Sequence, residues 1–152
     1  MRLYNTLTRQ DEDFVPSRGN TVRMYTCGLT VYARGHIGNF RTVVARDLRR
    51  RTRREVAGFK VCQVMNFTDV DDRTILESRK AGVSLRDYTD RYISAFRADA
   101  SALGLEPVEM SPRATDEDNL RSMVEMIQAL ETNGHTYRSD GCLLYTSPSP
   151  RD

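Results

Sequence analysis

The feature that most constrains the fold is a pair of strand-like stretches separated by a helical one. Val22–Thr26 alternates larger apolar side chains with polar ones, and Phe59–Asn66 is apolar and rich in β-branched residues. Between them, from Asn39 to about Ala57, apolar residues recur at helical spacing, and Gly58 offers a stop. These periods predict strand, helix, strand. Two strands joined by a crossover helix are expected to lie parallel, with a right-handed connection.

The rest of the chain continues in the same style. A lead-in strand or loop is expected at Leu3–Leu7, followed by an acidic turn, and the Asp140-Gly141 dipeptide favours a hairpin. Three helix starts are predicted where Ser or Thr is followed three residues later by Asp, which resembles a capping box. The pairs are Thr68 with Asp71, Ser84 with Asp87, and Thr115 with Asp118.

The order of elements predicts an α/β fold. It is a partial Rossmann-like (HUP-type) nucleotide-binding fold with a parallel sheet and crossover helices. The strands are too few to complete a doubly wound sheet, so the fold is expected to be incomplete at its C-terminus. The final residues, SPSPRD (147–152), have low complexity and are expected to be disordered.

Composition narrows the class of protein. The 152 residues carry a net charge of +2, so bulk charge gives no argument for nucleic-acid binding. Three scattered cysteines do not suit a disulfide framework. No apolar stretch suits a signal peptide or a membrane span, so a cytoplasmic protein without a membrane partner is expected.

One local charge feature stands out from that balance. Six arginines fall within nine positions of the first long helix, and they form either a solvated face or a phosphate-binding face. They are Arg46, Arg49, Arg50, Arg51, Arg53 and Arg54.

The candidate chemistry lies where the first predicted strand ends and the helix begins. Ligands of open α/β sheets bind beyond the carboxyl ends of strands, against helix N-termini. Cys27 and Gly28 occupy the strand end, and His36-Ile37-Gly38-Asn39 occupies the helix start. A glycine in the first turn lets a ligand approach the backbone N–H groups, and an imidazole beside them can stabilise phosphate charge.

Other polar residues have more than one interpretation. Cys27 suits a small buried residue, a nucleophile or a metal ligand, whereas Cys62 lies in mid-strand and suits the core. Asp71 and Asp72 are expected to cap a helix rather than to bind magnesium, and Asp69 is the better candidate to face the site.

Together these stretches resemble one family, the cysteinyl-tRNA synthetases, which are class I aminoacyl-tRNA synthetases. The resemblance runs from residue 2 to about 141. CGxTVY, HIGN and NxTDxDD, in this order and spacing, are specific as a set. The matching stretches are LYNTLTRQ (3–10), MYTCGLTVY (24–32), GHIGNFRT (35–42), MNFTDVDDRTI (65–75), PRATD (112–116) and NGHTYRSDG (133–141).

The resemblance implies roles for residues of this chain. His36, Gly38 and Asn39 correspond to the HIGH signature that holds ATP, with His36 and Asn39 catalytic and Thr30 also at the nucleotide. The implied binding residues for L-cysteine are Cys27, Gly28 and Thr68. Cys27 is the implied zinc ligand, and the substrate thiolate would bind the same metal, because zinc prefers a soft sulfur ligand.

The resemblance also implies the reaction and its partners. ATP, with Mg²⁺, would activate L-cysteine to cysteinyl-adenylate, and the aminoacyl group would pass to tRNA(Cys) during cytoplasmic protein synthesis. Neither step needs a covalent enzyme nucleophile, so Cys27 is not expected to be one.

Departures from the family pattern set further expectations. Asn39 stands where the class signature has histidine, Leu29 replaces a frequent proline, and Arg46 replaces an apolar residue. Residues 1–141 are assigned to the N-terminal part of the catalytic domain, and residues 142–152 to a non-family tail, disordered or artefactual. The remaining zinc ligands, the KMSKS loop and the tRNA-binding helical domain would lie beyond this point. The chain alone is therefore expected to be inactive.

Three other interpretations stay open at this stage. A mycothiol-type cysteine ligase would share the fold and adenylation but join cysteine to an amino sugar. A nucleotidylyltransferase would share the histidine at the helix start but leave Cys27 and TDVDD unexplained. A non-catalytic nucleotide- or RNA-binding module would use the arginine-rich stretch 46–54 as its contact surface.

Overall fold

A computed structural model of the chain describes residues 1–145. These residues divide into two compact units: Met1 with Phe14–Thr115, and Arg2–Asp13 with the described residues from Asp116 onward. In chain order the elements are β1 (Arg2–Asn5), β2 (Gln10–Asp13), β3 (Thr21–Thr26), α1 (Ile37–Arg51), a π-helical turn (Thr52–Val56), β4 (Lys60–Met65), α2 (Asp72–Ala81), α3 (Leu85–Ala102), α4 (Glu117–Thr132), β5 (Thr136–Ser139) and β6 (Cys142–Tyr145).

The first unit is built on the parallel pair β3 and β4. Thr21 pairs with Lys60 and Thr26 with Met65, without a slip in register. Helix α1 forms the connection between the two strands. The predicted strand–helix–strand order with a parallel sheet is therefore confirmed.

A third segment extends this sheet beyond β4. The N–H of Met65 donates to the carbonyl of Met110 at 3.0 Å, and the N–H of Phe67 donates to the carbonyl of Pro112 at 2.9 Å. Parallel bridges join Val64 to Met110 and Phe67 to Arg113. Residues 110–113, in the connection between α3 and α4, thus cover the outer edge of β4.

Helix α1 is flanked by specific backbone features. It begins at Ile37, two residues before the predicted start. It continues into the π-helical turn, where the Ala57 N–H donates to the carbonyl of Thr52 at 3.1 Å. Gly58 then adopts φ +70°, a left-handed conformation that glycine tolerates best, and the predicted stop is confirmed.

The start of α2 differs from the prediction. Its N-cap is Asp71, whose carboxylate accepts from the Thr74 N–H at 2.7 Å, while the Thr74 hydroxyl accepts from the Asp71 N–H at 2.8 Å. Thr68 does not cap it, because its backbone groups pair with the loop after β3. By contrast, Ser84 caps α3 as predicted and accepts from the Asp87 N–H at 3.0 Å.

The core of the first unit lies between the sheet and helices α1 and α3. Phe96 of α3 stacks on Phe40 of α1 with a centroid distance of 5.5 Å, and meets Phe67 edge-on at 5.6 Å. Because α1 and α3 supply rings to one cluster, both helices are fixed against the end of β4. The cluster consists of Val31, Phe40, Met65, Phe67, Ile93 and Phe96.

A charged cluster joins α1 to the loop that follows α3. Arg54 donates two 2.8 Å hydrogen bonds to the two carboxylate oxygens of Glu106. Arg50, only 5% exposed, pairs with Glu109 at 2.5 Å. The hydrogen bonds from Arg54, with the nearby arginine charges, lower the pKa of Glu106 to about 2.

The second unit contains two hairpins and α4. The acidic stretch Gln10–Asp13, expected as a turn, is strand β2 and pairs antiparallel with β1. Asp140 (φ +50°) and Gly141 (φ +79°) form a two-residue turn between β5 and β6, as predicted. Residues 142–145, expected within a disordered tail, form β6 because they complete this hairpin. Residues 146–152, also expected to be disordered, lie outside the described residues.

Among residues 1–145, no helix combines the length and the apolar character that a membrane span requires.

Replacing Glu106 by glutamine tests the charged cluster. The folded pKa of Glu106 lies below its ordinary value of 4.5, so its ion pairs stabilise the fold above that pH. This stabilisation is lost as pH falls through about 2. We expect E106Q to lower the free energy of unfolding at pH 7 by about 1 kcal/mol and to flatten its decline between pH 5 and 2.

The measurement is urea unfolding across that pH range. The matched control is E125Q, which neutralises an exposed glutamate of α4. Identical dependence of stability on pH in E106Q and E125Q would contradict the conclusion that the ion pairs of Glu106 stabilise the fold.

Candidate functional site

The carboxyl ends of β3 and β4 are brought together by a glycine. The Gly28 N–H donates to the side-chain oxygen of Asn66 at 3.1 Å. A Cβ atom at Gly28 would lie 1.7 Å from the Asn66 carbonyl oxygen, so only glycine fits here. Further on, a parallel bridge joins Thr30 to Thr68. The two strand ends therefore converge on one short segment of backbone.

Cys27 lies at the exposed edge of this junction. Its Sγ is 3.6 Å from the Gly28 carbonyl oxygen. Its own carbonyl accepts a hydrogen bond from the guanidinium of Arg46 on α1. Cys27 is thus held by its backbone, while its thiol remains open to solvent.

His36 is the N-cap of α1. Its Nδ1 accepts from the Gly38 N–H at 3.1 Å. In return, the Asn39 side-chain oxygen accepts from the His36 N–H at 2.9 Å. This reciprocal capping box satisfies backbone groups that would otherwise lack partners at a helix start. The HIGN stretch therefore has a structural role of its own in this chain.

Gly38 is needed for this arrangement. A Cβ atom there would lie 2.9 Å from the His36 Cε1 and 3.1 Å from its Nδ1. Any larger residue would displace the ring from the first turn. Since Nδ1 accepts a hydrogen bond, the neutral ring carries its proton on Nε2, which can donate to a ligand.

Two clefts contain most of the predicted site residues. We call the first the loop cleft. It has a volume of about 330 Å³ and is lined by Gly28, Leu29, Thr30, Tyr32, Ala33, Arg34, His36 and Asn39. We call the second the thiol cleft. It has a volume of about 170 Å³ and is lined by Cys27, Gly28, Leu29, Gly38, Asn39, Thr42, Val43, Arg46 and Phe96.

Thr68 lies beside these clefts but lines neither. Its hydroxyl accepts from the Asn66 side-chain amide at 3.4 Å. Asn66 thus connects Gly28 with Thr68, a role that the sequence analysis missed. Its position at the end of a predicted strand was the available signal, since polar residues there face the ligand edge of such sheets.

Arg34 and Asp99 also escaped the sequence analysis. Arg34 lines the loop cleft and donates to both carboxylate oxygens of Asp99 on α3, at 2.9 and 2.6 Å. The hydrogen bond from Arg34 lowers the pKa of Asp99. The pair connects the loop that precedes α1 to α3, but its two residues are 65 positions apart, so no local sequence pattern indicates it.

Asp69 does not face the site. It is 1% exposed, and its carboxylate accepts from the N–H of Thr115 at 3.1 Å and from its hydroxyl. This bond accounts for the burial of Asp69, and it occupies the Thr115 hydroxyl, which was predicted to cap α4. The N-cap of α4 is Asp116 instead.

The residues present do not make a zinc site by themselves. Zinc in proteins takes four ligands, or three and a water. Within residues 1–145 no group of three or more His, Cys, Asp or Glu side chains could hold a metal. Cys27 supplies one exposed thiol, which is too few donors to hold a zinc ion.

The arginine-rich stretch is mostly engaged within the fold. Arg50, Arg51 and Arg54 pair with carboxylates, including Asp47 for Arg51 at 2.7 Å. Arg53 lies over the Phe14 ring at 5.8 Å. Guanidinium groups that are paired with carboxylates are poor phosphate ligands, which weakens the interpretation of this stretch as an RNA-contact surface.

The fold is that of class I synthetase catalytic domains. It is similar to a Mycobacterium tuberculosis methionyl-tRNA synthetase solved with methionyl-adenylate, with a TM-score of 0.69 and 17% identity over 86% of this chain and 30% of that one. It is also similar to an Agrobacterium radiobacter LeuRS in a ternary complex, with a TM-score of 0.67 and 19% identity over 84% of this chain and 17% of that one.

Sequence comparison gives the particular family. Residues 13–151 match the family of class I (C) tRNA synthetase catalytic domains, and the chain belongs to it. The Brachyspira hyodysenteriae cysteine–tRNA ligase is 46% identical over 93% of this chain and 29% of that protein. The Lactobacillus gasseri cysteine–tRNA ligase is 46% identical over 95% and 30%. The chain thus spans about 30% of the length of such relatives.

Gly28→Ala tests the convergence of the strands. The added Cβ would collide with backbone at Asn66, which cannot move without separating β3 from β4. We expect a loss of about 3 kcal/mol or more in the free energy of unfolding. The measurement is chemical denaturation, with G19A as control, since Gly19 is a left-handed glycine with open space around its Cβ. A loss in G28A no larger than the loss in G19A would contradict the collision, because Gly19 has a positive φ and Gly28 does not.

Zinc content tests the donor set. A single thiol does not hold a structural zinc ion, so we expect the 152-residue chain to retain far less than one zinc per chain after dialysis. Cys27→Ser is expected to leave that value unchanged. The measurement is elemental analysis of both proteins, and one zinc per wild-type chain would contradict this conclusion.

Proposed function

We propose that this chain provides the part of a cysteine–tRNA ligase that binds ATP and L-cysteine and forms cysteinyl-adenylate. In the whole protein the aminoacyl group would then pass to tRNA(Cys), in the cytoplasm. The relatives that carry this name match almost the entire chain at up to 46% identity. The single structural observation that supports the proposal is the capped start of α1 beside the loop cleft.

The start of α1 offers donors suited to a phosphate. The N–H groups of Gly38, Asn39 and Phe40 already bond to His36, so the backbone contribution that remains for an anion is the positive end of the helix dipole. Nδ1 of His36 is occupied by Gly38, which leaves the Nε2 proton for a phosphate oxygen. Asn39 holds the His36 backbone through its side-chain oxygen, so its amide nitrogen remains available as a further donor. Thr30 lines the same cleft and adds a hydroxyl.

The proposed first step follows from these donors. A carboxylate oxygen of L-cysteine attacks the α-phosphorus of ATP and forms a mixed anhydride. The bond from that phosphorus to the bridging oxygen of the β-phosphate breaks, and pyrophosphate leaves with the electron pair. The Nε2 proton of His36 and the positive end of the α1 dipole would stabilise the charge that develops on the phosphate oxygens. Bound Mg²⁺ would supply further charge neutralisation to the triphosphate.

The amino-acid end of the site is proposed at the thiol cleft. Cys27 and Gly28 line this cleft, and Asn66 bonds to both Gly28 and Thr68 and so holds Thr68 close by. In the whole enzyme Cys27 would contribute a thiolate to a zinc ion that recognises the substrate sulfur. The relatives extend well beyond the matched segment, so the contacts to tRNA are proposed for the whole protein rather than for these residues.

Cysteine-dependent ATP–pyrophosphate exchange tests the proposal. A chimera is built in which residues 1–141 replace the matching segment of the Brachyspira hyodysenteriae ligase. We expect it to exchange with cysteine and not with serine, and the 152-residue chain alone to show no exchange. His36→Ala in the chimera is expected to reduce the exchange rate about 100-fold, because a donor to the transition-state charge is removed.

The chain supplies its own control. His135 is the second of its two histidines and lies outside the loop cleft, so H135A is expected to exchange like the parent chimera. H36N separates the two roles of His36, because asparagine caps helices well but lacks the Nε2 donor. A folded chimera without cysteine-dependent exchange, or equal rates for H36A and H135A, would overturn the proposal.

A further inference from the structure

A separate cavity lies between the sheet and helices α1 and α3. Its volume is about 450 Å³, and we call it the inner cavity. This volume falls within the range of small-molecule sites, roughly 300–1,000 Å³. Its apolar walls include Val43, Met65, Phe67, Phe96, Leu105 and Val108. It shares only Val43, Arg46 and Phe96 with the thiol cleft, and shares no lining residue with the loop cleft.

The acidic groups at this cavity are already neutralised. Asp47 accepts from Arg51 at 2.7 Å. Glu106 accepts from Arg54 at 2.8 Å, and this bond contributes most to the low pKa of its carboxylate. Neither carboxylate therefore leaves a free negative charge that would repel an anion or attract a cation.

In the described part of the chain, the charges of the two arginines that line the cavity are, in contrast, not neutralised by carboxylates. Arg97 lies over the Phe67 ring with its guanidinium 5.8 Å from the centroid. Arg46 donates to the carbonyl of Cys27. Among residues 1–145 neither has a carboxylate partner. The cavity thus combines apolar walls with two positive charges that have donors to spare.

We propose that the inner cavity binds a small amphiphilic carboxylate. The apolar body lies between the Phe67 and Phe96 side of the cavity and the loop at Leu105. The carboxylate is held by Arg97 and by Arg46. Burial of the ligand's apolar body supplies affinity. Charge-assisted hydrogen bonds to its carboxylate select an anion over a neutral or cationic analogue. This site does not depend on the function proposed above.

Octanoate is the probe, and the 152-residue chain is the protein. Its binding is followed by displacement of the fluorescent sulfonate 8-anilinonaphthalene-1-sulfonate, which has the same combination of apolar body and anion. We expect one reporter per chain, displaced by octanoate but not by octanol or octylamine at the same concentration. ATP, whose proposed site is the start of α1, is expected not to displace the reporter.

Two arginine variants on α3 test whether the effect requires a positive charge at the cavity or only a positive charge on this helix. Arg97→Gln is expected to weaken octanoate binding about tenfold, as for loss of one hydrogen bond to a charged group. Arg91→Gln makes the same change on α3 outside the cavity and is expected to bind like the wild type. Ala100→Phe fills the cavity and is expected to abolish binding. If A100F does not unfold cooperatively, Val108→Phe on the loop after α3 is used in its place to fill the cavity.

Any of four results would overturn the proposal. One is equal octanoate affinity in R97Q and R91Q, and another is displacement by octanol as effective as by octanoate. The third is unchanged binding in a filled variant that unfolds cooperatively. Several reporters per chain, with no rise in the unfolding temperature on adding octanoate, would also exclude a defined site, because a ligand bound to the folded state stabilises it.

Discussion

The close approach of Gly28 to Asn66 is the constraint on which the first unit depends. The separation of 1.7 Å between a virtual Cβ and the Asn66 carbonyl oxygen leaves no room for any side chain. Because the backbones at Gly28 and Asn66 are so close, the two segments stay paired beyond the ends of β3 and β4, where Thr30 bridges to Thr68. This pairing fixes the turn that presents Cys27 and, nine residues later in the sequence, His36.

The residues that make the site are also those that hold the fold there. His36 and Asn39 complete a helix cap before any ligand is present, and Asn66 holds both Gly28 and Thr68. Because these side chains also bond within the fold, their hydrogen-bond donors are oriented before a ligand binds. Little side-chain ordering is then required when a nucleotide binds. It also means that substitutions here combine losses of stability with losses of activity, and the two need separate measurements.

The parts of the fold predicted from sequence are those with local signals. The parallel strands, Ser84 at α3 and the Asp140-Gly141 turn each depend on neighbouring residues, and each is confirmed. β2 was missed because its four residues are all polar, and the cap of α2 was misplaced because Thr68 is claimed by a strand partner. The partners of Arg34 and Arg50 lie more than 50 residues away, where periodicity carries no information. The roles of the site residues in catalysis stay predictions.

Helix α1 has basic residues in its last turn but no acidic residue in its first turn. The basic residues are Arg49, Arg50 and Arg51. Because Arg50 and Arg51 are paired with carboxylates, Arg49 is left to compensate the partial negative charge at this end of the helix. The partial positive charge at the N-terminus has no counter-charge from its own first turn. An anion at residues 36–39 would complete this compensation and would stabilise the helix by about 0.3–1 kcal/mol. Occupancy of the site and folding of α1 are in this sense one linked equilibrium.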